Sequence, residues 1–235
     1  MKPLLTSLTA ALLYTQVCTG QIINDPARIE IYVTPYHNST GPVIDVGPFS
    51  NGLGANSESV FLTTISEMKK SWEILKFTEM YVAAIRLYDR GFRKEAVYWF
   101  YSAQYRGRLL GALLDPRKLG TLGDPGFELS HAQNAFQELM GPYINGYAFG
   151  DIVQLSSIIE RVKKEGKVVP DLNKIYTGLS FKNRSEWEAG NSEVNAGLGK
   201  LLQMIKDQKA AIKQQRIDTG IEARFSKLTS KELTE

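Results

Sequence analysis

Two histidines, one cysteine and a run of tyrosines are the residues of this 235-residue chain whose side chains could do chemistry. Glu128-x-x-His131 sets a carboxylate and an imidazole three residues apart, on one face of a helix. Carboxylate-bridged dimetal bundles use that spacing on two helices and add glutamates from two more. Here the pair occurs once, and His37 falls in the turn-forming run His37-Asn-Ser-Thr-Gly-Pro42, so no metal site and no cofactor are expected. Gly52 and Gly54 flank Leu53, but no lysine and serine follow at phosphate-loop spacing, and the run reads as a turn. A hydrolase would need a nucleophile with its base, or two carboxylates at working distance. The histidines sit in dissimilar settings and offer no such pairing. Paired acids stay open, because distance in space is not written in a sequence. The expectation is a protein that is not an enzyme.

Recognition chemistry is better represented. Tyr98, Tyr101 and Tyr105 recur at three- and four-residue spacing and so share a helix face, with Arg106 and Arg108 beside them as a charged rim. Together with Tyr81 and Tyr88 these rings exceed what one helical hairpin can bury. Aromatic residues left on a helical surface anchor protein partners. An aromatic binding face is therefore expected, with a protein as its partner. The competing expectation is that the same rings pack against the N-terminal arm and the later helices. The formal charge of +3 is too mild to imply a nucleic-acid partner.

The element that must position this face is the stretch Phe77–Gly107, which predicts two helices hinged at Gly91. Ala83, Ala84 and Leu87 give the first a small apolar face, and Ala96, Trp99, Phe100 and Ala103 do so for the second. Small residues let helix axes approach, and rings fill the grooves beside the contact. Gly91 suits the left-handed position that ends the first helix. Before the hairpin, Val60, Ile65, Met68, Trp72 and Leu75 predict another helix, capped by Asn56 or Ser57. After it, Leu109 to Leu114 prolong the second helix until Asp115-Pro116. Phe127, Ala132, Ala135, Phe136 and Leu139 predict a helix that stops at Gly141-Pro142. Tyr143, Tyr147 and Phe149 then fall in a glycine-loosened connection. Asp151 caps a helix over 152–164 with Leu155, Ile158, Ile159 and Val162 on its buried stripe.

The positions Ala84, Leu87, Gly91, Ala96, Phe100 and Ala103 resemble one tetratricopeptide repeat. Ala96-x-x-Trp99-Phe100-x-x-Ala103-x-x-x-Gly107 is closer still to the Sel-like branch of that superfamily. The resemblance covers a single repeat and implies a helical hairpin that serves protein recognition. The whole mature chain, with the block Gly141-Pro-Tyr-Ile-Asn-Gly-Tyr-Ala-Phe-Gly-Asp151, is similar to uncharacterised exported bacterial proteins, and some such helical proteins are immunity partners of secreted toxins. That similarity implies a toxin as the candidate partner.

Residues 1–20 carry one charge, Lys2, then Leu4, Leu5, Leu8, Leu12 and Leu13, and small residues near Thr19-Gly20. This reads as a signal peptide, cleaved after Gly20, for a periplasmic or secreted protein. Cys18, the only cysteine, leaves with it, and with it goes any disulfide or cysteine nucleophile. The minority alternative is lipidation of Cys18, the one route by which a membrane would enter, although Thr15-Gln16-Val17 lacks lipobox character. Residues 21–56 form an arm, with strands expected at Arg28–Thr34 and Val43–Val46 as a small β-hairpin laid on the helices. Residues 57–165 are the helical domain. Residues 166–235 are a loop, a long C-terminal helix seamed by Leu198, Leu202, Ile205 and Ile212, and a frayed tail after Thr219-Gly220. The fold class is thus mainly α, a bundle of antiparallel helical hairpins with a β-hairpin at its N-terminus. The function expected is that of an exported binding module, an immunity protein that occludes a toxin, with an envelope accessory protein or a paired-carboxylate hydrolase as alternatives.

Overall fold

A computed structural model describes residues 23, 25–29, 37–38, 41–42 and 47–233. The chain is mainly helical. A short turn α1 (Ser50–Gly54) leads to α2 (Glu58–Lys70), α3 (Phe77–Asp89), α4 (Arg93–Leu113), α5 (Pro125–Ala148) and α6 (Ile152–Glu165). A single turn α7 (Leu172–Ile175) precedes α8 (Trp187–Asp207), α9 (Lys209–Asp218) and α10 (Ile221–Phe225). Ser57 starts α2 by accepting from the Val60 amide, and Asp151 starts α6 by accepting from the Gln154 amide at 3.0 Å.

Helix α4 is the axis, in contact with α3, α5, α6 and α8. Its composition explains this position, because Ala96, Val97, Trp99, Phe100 and Ala103 are apolar around much of its circumference and all are buried. Each such large side chain contributes about 1.5–3 kcal/mol when withdrawn from water. The α3–α4 hairpin closes at Gly91, whose φ of 86° is left-handed. The Phe92 amide donates to the Leu87 carbonyl at 2.9 Å and the Gly91 amide to Tyr88 at 3.0 Å, the paired bonds of a Schellman turn. Gly107 lets α5 approach α4, since a Cβ there would lie 1.8 Å from Gln133 Oε1.

Four boundaries differ from expectation. Helix α2 ends at Lys70, so Trp72 and Leu75 fall in the link to α3. Helix α5 runs through Gly141-Pro142 to Ala148, so Tyr143 and Tyr147 are helical and no glycine-loosened connection exists. Burial outweighs the missing proline amide. Met140, Tyr143, Ile144 and Ala148 are all buried, and Gly146 takes the Phe225 ring so closely that a Cβ would lie 2.5 Å from it. The long C-terminal helix is broken at Gln208, between α8 and α9. The tail after Gly220 is not frayed: the Lys231 amide donates to the Gly91 carbonyl at 2.8 Å, and Ser230 Oγ accepts from the Lys94 amide at 3.0 Å. Ser230 thereby supplies the cap that α4 lacks locally.

Of the N-terminal arm, Ile23 and Ile29 are buried, the Ile29 amide donates to Asp89 Oδ1 at 2.8 Å, and the Tyr88 hydroxyl donates to the Pro26 carbonyl at 2.7 Å. Residues 23 and 25–29 therefore lie against the helices. A two-residue antiparallel pair joins His37–Asn38 to Gly41–Pro42. The strands expected at 28–34 and 43–46 lie outside the described residues except for Arg28 and Ile29, as do the leader and Cys18. Among the described residues no helix is long and apolar enough to cross a membrane.

Candidate functional site

One face of α4 presents Tyr98, Ser102, Tyr105, Arg106 and Leu109, at spacings of four, three, one and three residues. This stripe forms one side of a cleft of about 730 Å³. Trp72–Ile74, in the link between α2 and α3, line another side, and the end of α6 with residues 165–175 lines the third.

The wall is built around Tyr98. Trp72 stacks on it with centroids 5.3 Å apart and planes 9° off parallel, and the Arg161 guanidinium lies over its ring at 3.8 Å. The Tyr98 hydroxyl donates to Glu165 Oε2 at 2.7 Å, and Arg161 Nε donates to Glu165 Oε1 at 2.9 Å. Burial first, then the bond to Glu165, pushes the Tyr98 phenol up, so it keeps the proton it donates. The Tyr105 hydroxyl sits 2.7 Å from the Gly166 carbonyl and 2.6 Å from Asn191 Oδ1, while Asn191 Nδ2 donates to the same carbonyl at 2.9 Å. Only glycine fits at 166, because a Cβ there would lie 2.5 Å from the Tyr105 ring. Arg106 Nη1 donates to the carbonyls of Trp72, Glu73 and Leu75 at 3.2, 3.2 and 2.7 Å, which pins the α2–α3 link to α4. Burial pulls this guanidinium down from its ordinary value. The exposed lining of the cleft is mixed: Ile74 is 63% and Val168 76% exposed, among the exposed charged residues Lys69, Glu73 and Lys174.

The five residues singled out by spacing separate here. Tyr98, Tyr105 and Arg106 come together in the cleft. Tyr101 points away from it, donates to Asn145 Oδ1 at 2.9 Å, and meets Phe100 edge-on. Arg108 is half-buried and is not part of the lining. Tyr98, Tyr101, Tyr105 and Arg106 are only 3–8% exposed, so the expected open aromatic face on α4 is corrected to a core surface that reaches solvent through one cleft. The physical reason is that α4 is covered by four helices, which bury rings that a two-helix hairpin would leave bare.

Sequence reasoning missed Trp72, Ser102, Arg161 and Glu165. Ser102 could have been found, midway between Tyr98 and Arg106 at four-residue intervals. The other three stand off α4, Trp72 in the α2–α3 link and Arg161 and Glu165 on α6, and only the tertiary fold brings them to the stripe. Glu128 accepts from the Gly123 amide at 2.8 Å, and His131 is exposed beside the Phe127 ring at 4.4 Å. Among the described residues no group of three or more histidine, cysteine, aspartate or glutamate side chains is arranged to hold a metal.

The chain is 27% identical, over 162 residues, to a protein of Haemophilus influenzae (strain ATCC 51907 / DSM 11121 / KW20 / Rd) described as an uncharacterized protein. That similarity covers 65% of this chain, and the chain spans 58% of the relative's length. No family model matches, and no solved structure matches.

Proposed function

We propose that the protein is a non-catalytic binding module that acts outside the cytoplasm and holds a segment of a partner protein in the cleft beside α4. The leader-like residues 1–20 support the location. In this reading residues 21–56 form a small β-hairpin arm laid against the α3–α4 turn. A toxin that is neutralised by occlusion is the partner that best fits a module with no chemistry of its own.

One observation carries the reading: an aromatic-walled cleft opens to solvent between two exposed apolar side chains, Ile74 and Val168. Exposed large hydrophobics are few on this surface, and two of them flank one opening. A stacked aromatic wall, with Ile74 and Val168 exposed beside it among charged residues, suits an apolar peptide side chain as anchor and a polar rim. The lining holds no histidine or cysteine, and Glu165 is already engaged by Tyr98 and Arg161, which disfavours a paired-carboxylate hydrolase.

The test uses residues that the fold does not need. The double variant Ile74→Glu, Val168→Glu replaces two exposed side chains and should leave the unfolding midpoint unchanged. Pull-down from a periplasmic fraction should recover a protein with the wild type that the variant loses. Equal recovery of every protein by both would reject the cleft as the interface. Recovery of the chain still beginning at Met1 from the cytoplasm would reject the location.

A further inference from the structure

Arg106 and Ser102 stand one helical turn apart on α4, line the same cleft, and are the most buried polar side chains of its floor, at 8% and 7% exposure. Arg106 satisfies Nη1 with three backbone carbonyls, while its Nε and Nη2 donate to nothing among the described residues. Arginine ion pairs among those residues are made by Arg86, Arg117, Arg161, Arg184 and Arg216, not by Arg106. Glu79 lies near enough to attract it but gives Oε2 to the Lys76 amide at 2.6 Å, and Glu73 stands exposed. Ser102 Oγ is buried and makes no hydrogen bond of ordinary length and angle; the Tyr98 phenol, its polar neighbour, is close enough to interact with it but is committed to Glu165 at 2.7 Å. The remaining acids of the lining are spoken for, Glu165 by Arg161 and Asp171 by Lys174 and Arg184.

A fully buried hydroxyl without an acceptor is unfavourable until one arrives, and the Arg106 nitrogens that make no protein hydrogen bond are left to whatever enters the cleft. A carboxylate is acceptor-only and offers two oxygens, enough for the open side of a guanidinium fork and for one hydroxyl. The apolar part of the wall around this floor is Trp72, Met80, Leu109, Val162 and Ile175. Resting on the cleft reading above, we infer that the floor takes the free C-terminal carboxylate of a partner polypeptide ending in an apolar residue. A chain terminus enters end-on, carrying its carboxylate to Arg106 and Ser102 and its last side chain to the apolar wall. A glutamate within a chain would have to draw flanking backbone amides into that same wall, where they would lose water without gaining partners. The preceding residues then cross the mouth at Ile74 and Val168.

The experiment is calorimetric titration of the full chain with acetyl-Gly-Gly-Ala-Val-Leu as the free acid, with the same peptide as its C-terminal amide, and with decanoate. The acid should bind about tenfold or more tightly than the amide, the loss expected for one charge-assisted hydrogen-bond pair. Ser102→Ala should weaken the acid several-fold without moving the amide and without lowering the unfolding midpoint, since it deletes a hydroxyl that makes no hydrogen bond of ordinary length and angle. Arg106→Gln should abolish the difference between acid and amide. Acid and amide bound equally would overturn the carboxylate inference and leave the cleft reading in place. Decanoate bound with neither peptide bound would overturn it in favour of a small carboxylic acid, and the protein-partner reading with it. Binding of none of the three would reject both.

Discussion

Among the carboxylates of the described residues, Asp89 is held farthest above its ordinary value. Burial raises its carboxyl from 3.8 to about 6, against the opposing pull of the Ile29 amide and of Arg86, Arg28 and Arg93. Between pH 4 and 6 the folded chain therefore holds a proton that the unfolded chain has released. Stability contributed by this site is highest below pH 4, declines as pH rises through about 6, and is level above that. A two-unit displacement sets an upper bound of roughly 3 kcal/mol on the effect. Asp89→Asn retains an acceptor for the Ile29 amide and removes the titration. The midpoint of Asp89→Asn minus that of the wild type should grow more positive from pH 4 to pH 7. A constant difference across that range would place the Asp89 carboxyl in water. The same scale shows why the tyrosines were misread. Tyr98, Tyr101 and Tyr105 carry surface-compatible hydroxyls, yet each hydroxyl has an internal partner, Glu165, Asn145 or Asn191, contributed from 44 to 86 residues away. Spacing along one helix carries no information about such partners.

Two elements lend themselves to opposite tests. Gly91 sits at φ 86° with nothing closer to its would-be Cβ than 3.7 Å, so any substitution is penalised by backbone strain and not by collision. Gly91→Val should lower stability by about 1 kcal/mol or more, read as a lower urea midpoint at unchanged slope. An unchanged midpoint would mean that the turn tolerates a branched side chain at positive φ. Pro142 is the reverse case, a proline held inside α5 by burial on either side. Pro142→Ala restores an amide to the helix ladder and should raise the midpoint, by about 1 kcal/mol or more after the helix relaxes. A lower midpoint would show that the proline itself is needed for Gly146 to meet Phe225. Helices α3 and α4 were legible because glycine, alanine and aromatic residues fall at helical intervals on both sides of one left-handed cap. The run of α5 past Pro142 was not, because local propensity argued for a stop and only contact with α10 reverses it.

For the molecule as a whole, the last residues act as a strap across the central turn. Lys231 bonds the Gly91 carbonyl and pairs with Glu58 at 2.6 Å, Lys94 pairs with Glu232 at 2.6 Å, and Arg93 Nη1 donates to the Thr229 carbonyl at 2.6 Å. Truncation after Ser226 should therefore destabilise the chain by about 1–3 kcal/mol, chiefly through the lost Ser230 cap and the uncovered Gly91 carbonyl, since the exposed ion pairs contribute little. An unaltered midpoint would show that the strap adds nothing to the fold. What the sequence determined alone is the helical class, the α3–α4 hairpin with its Gly91 turn, and the α2 and α6 caps, because these depend on residues within a few positions of one another. What only the tertiary structure decided is which side of α4 meets water. Four helices compete to cover that axis, and the cleft is the portion of its surface that the α2–α3 link, α6 and residues 165–175 together leave open. Such a gap is a property of how separate elements fit, and no interval within any one of them encodes it.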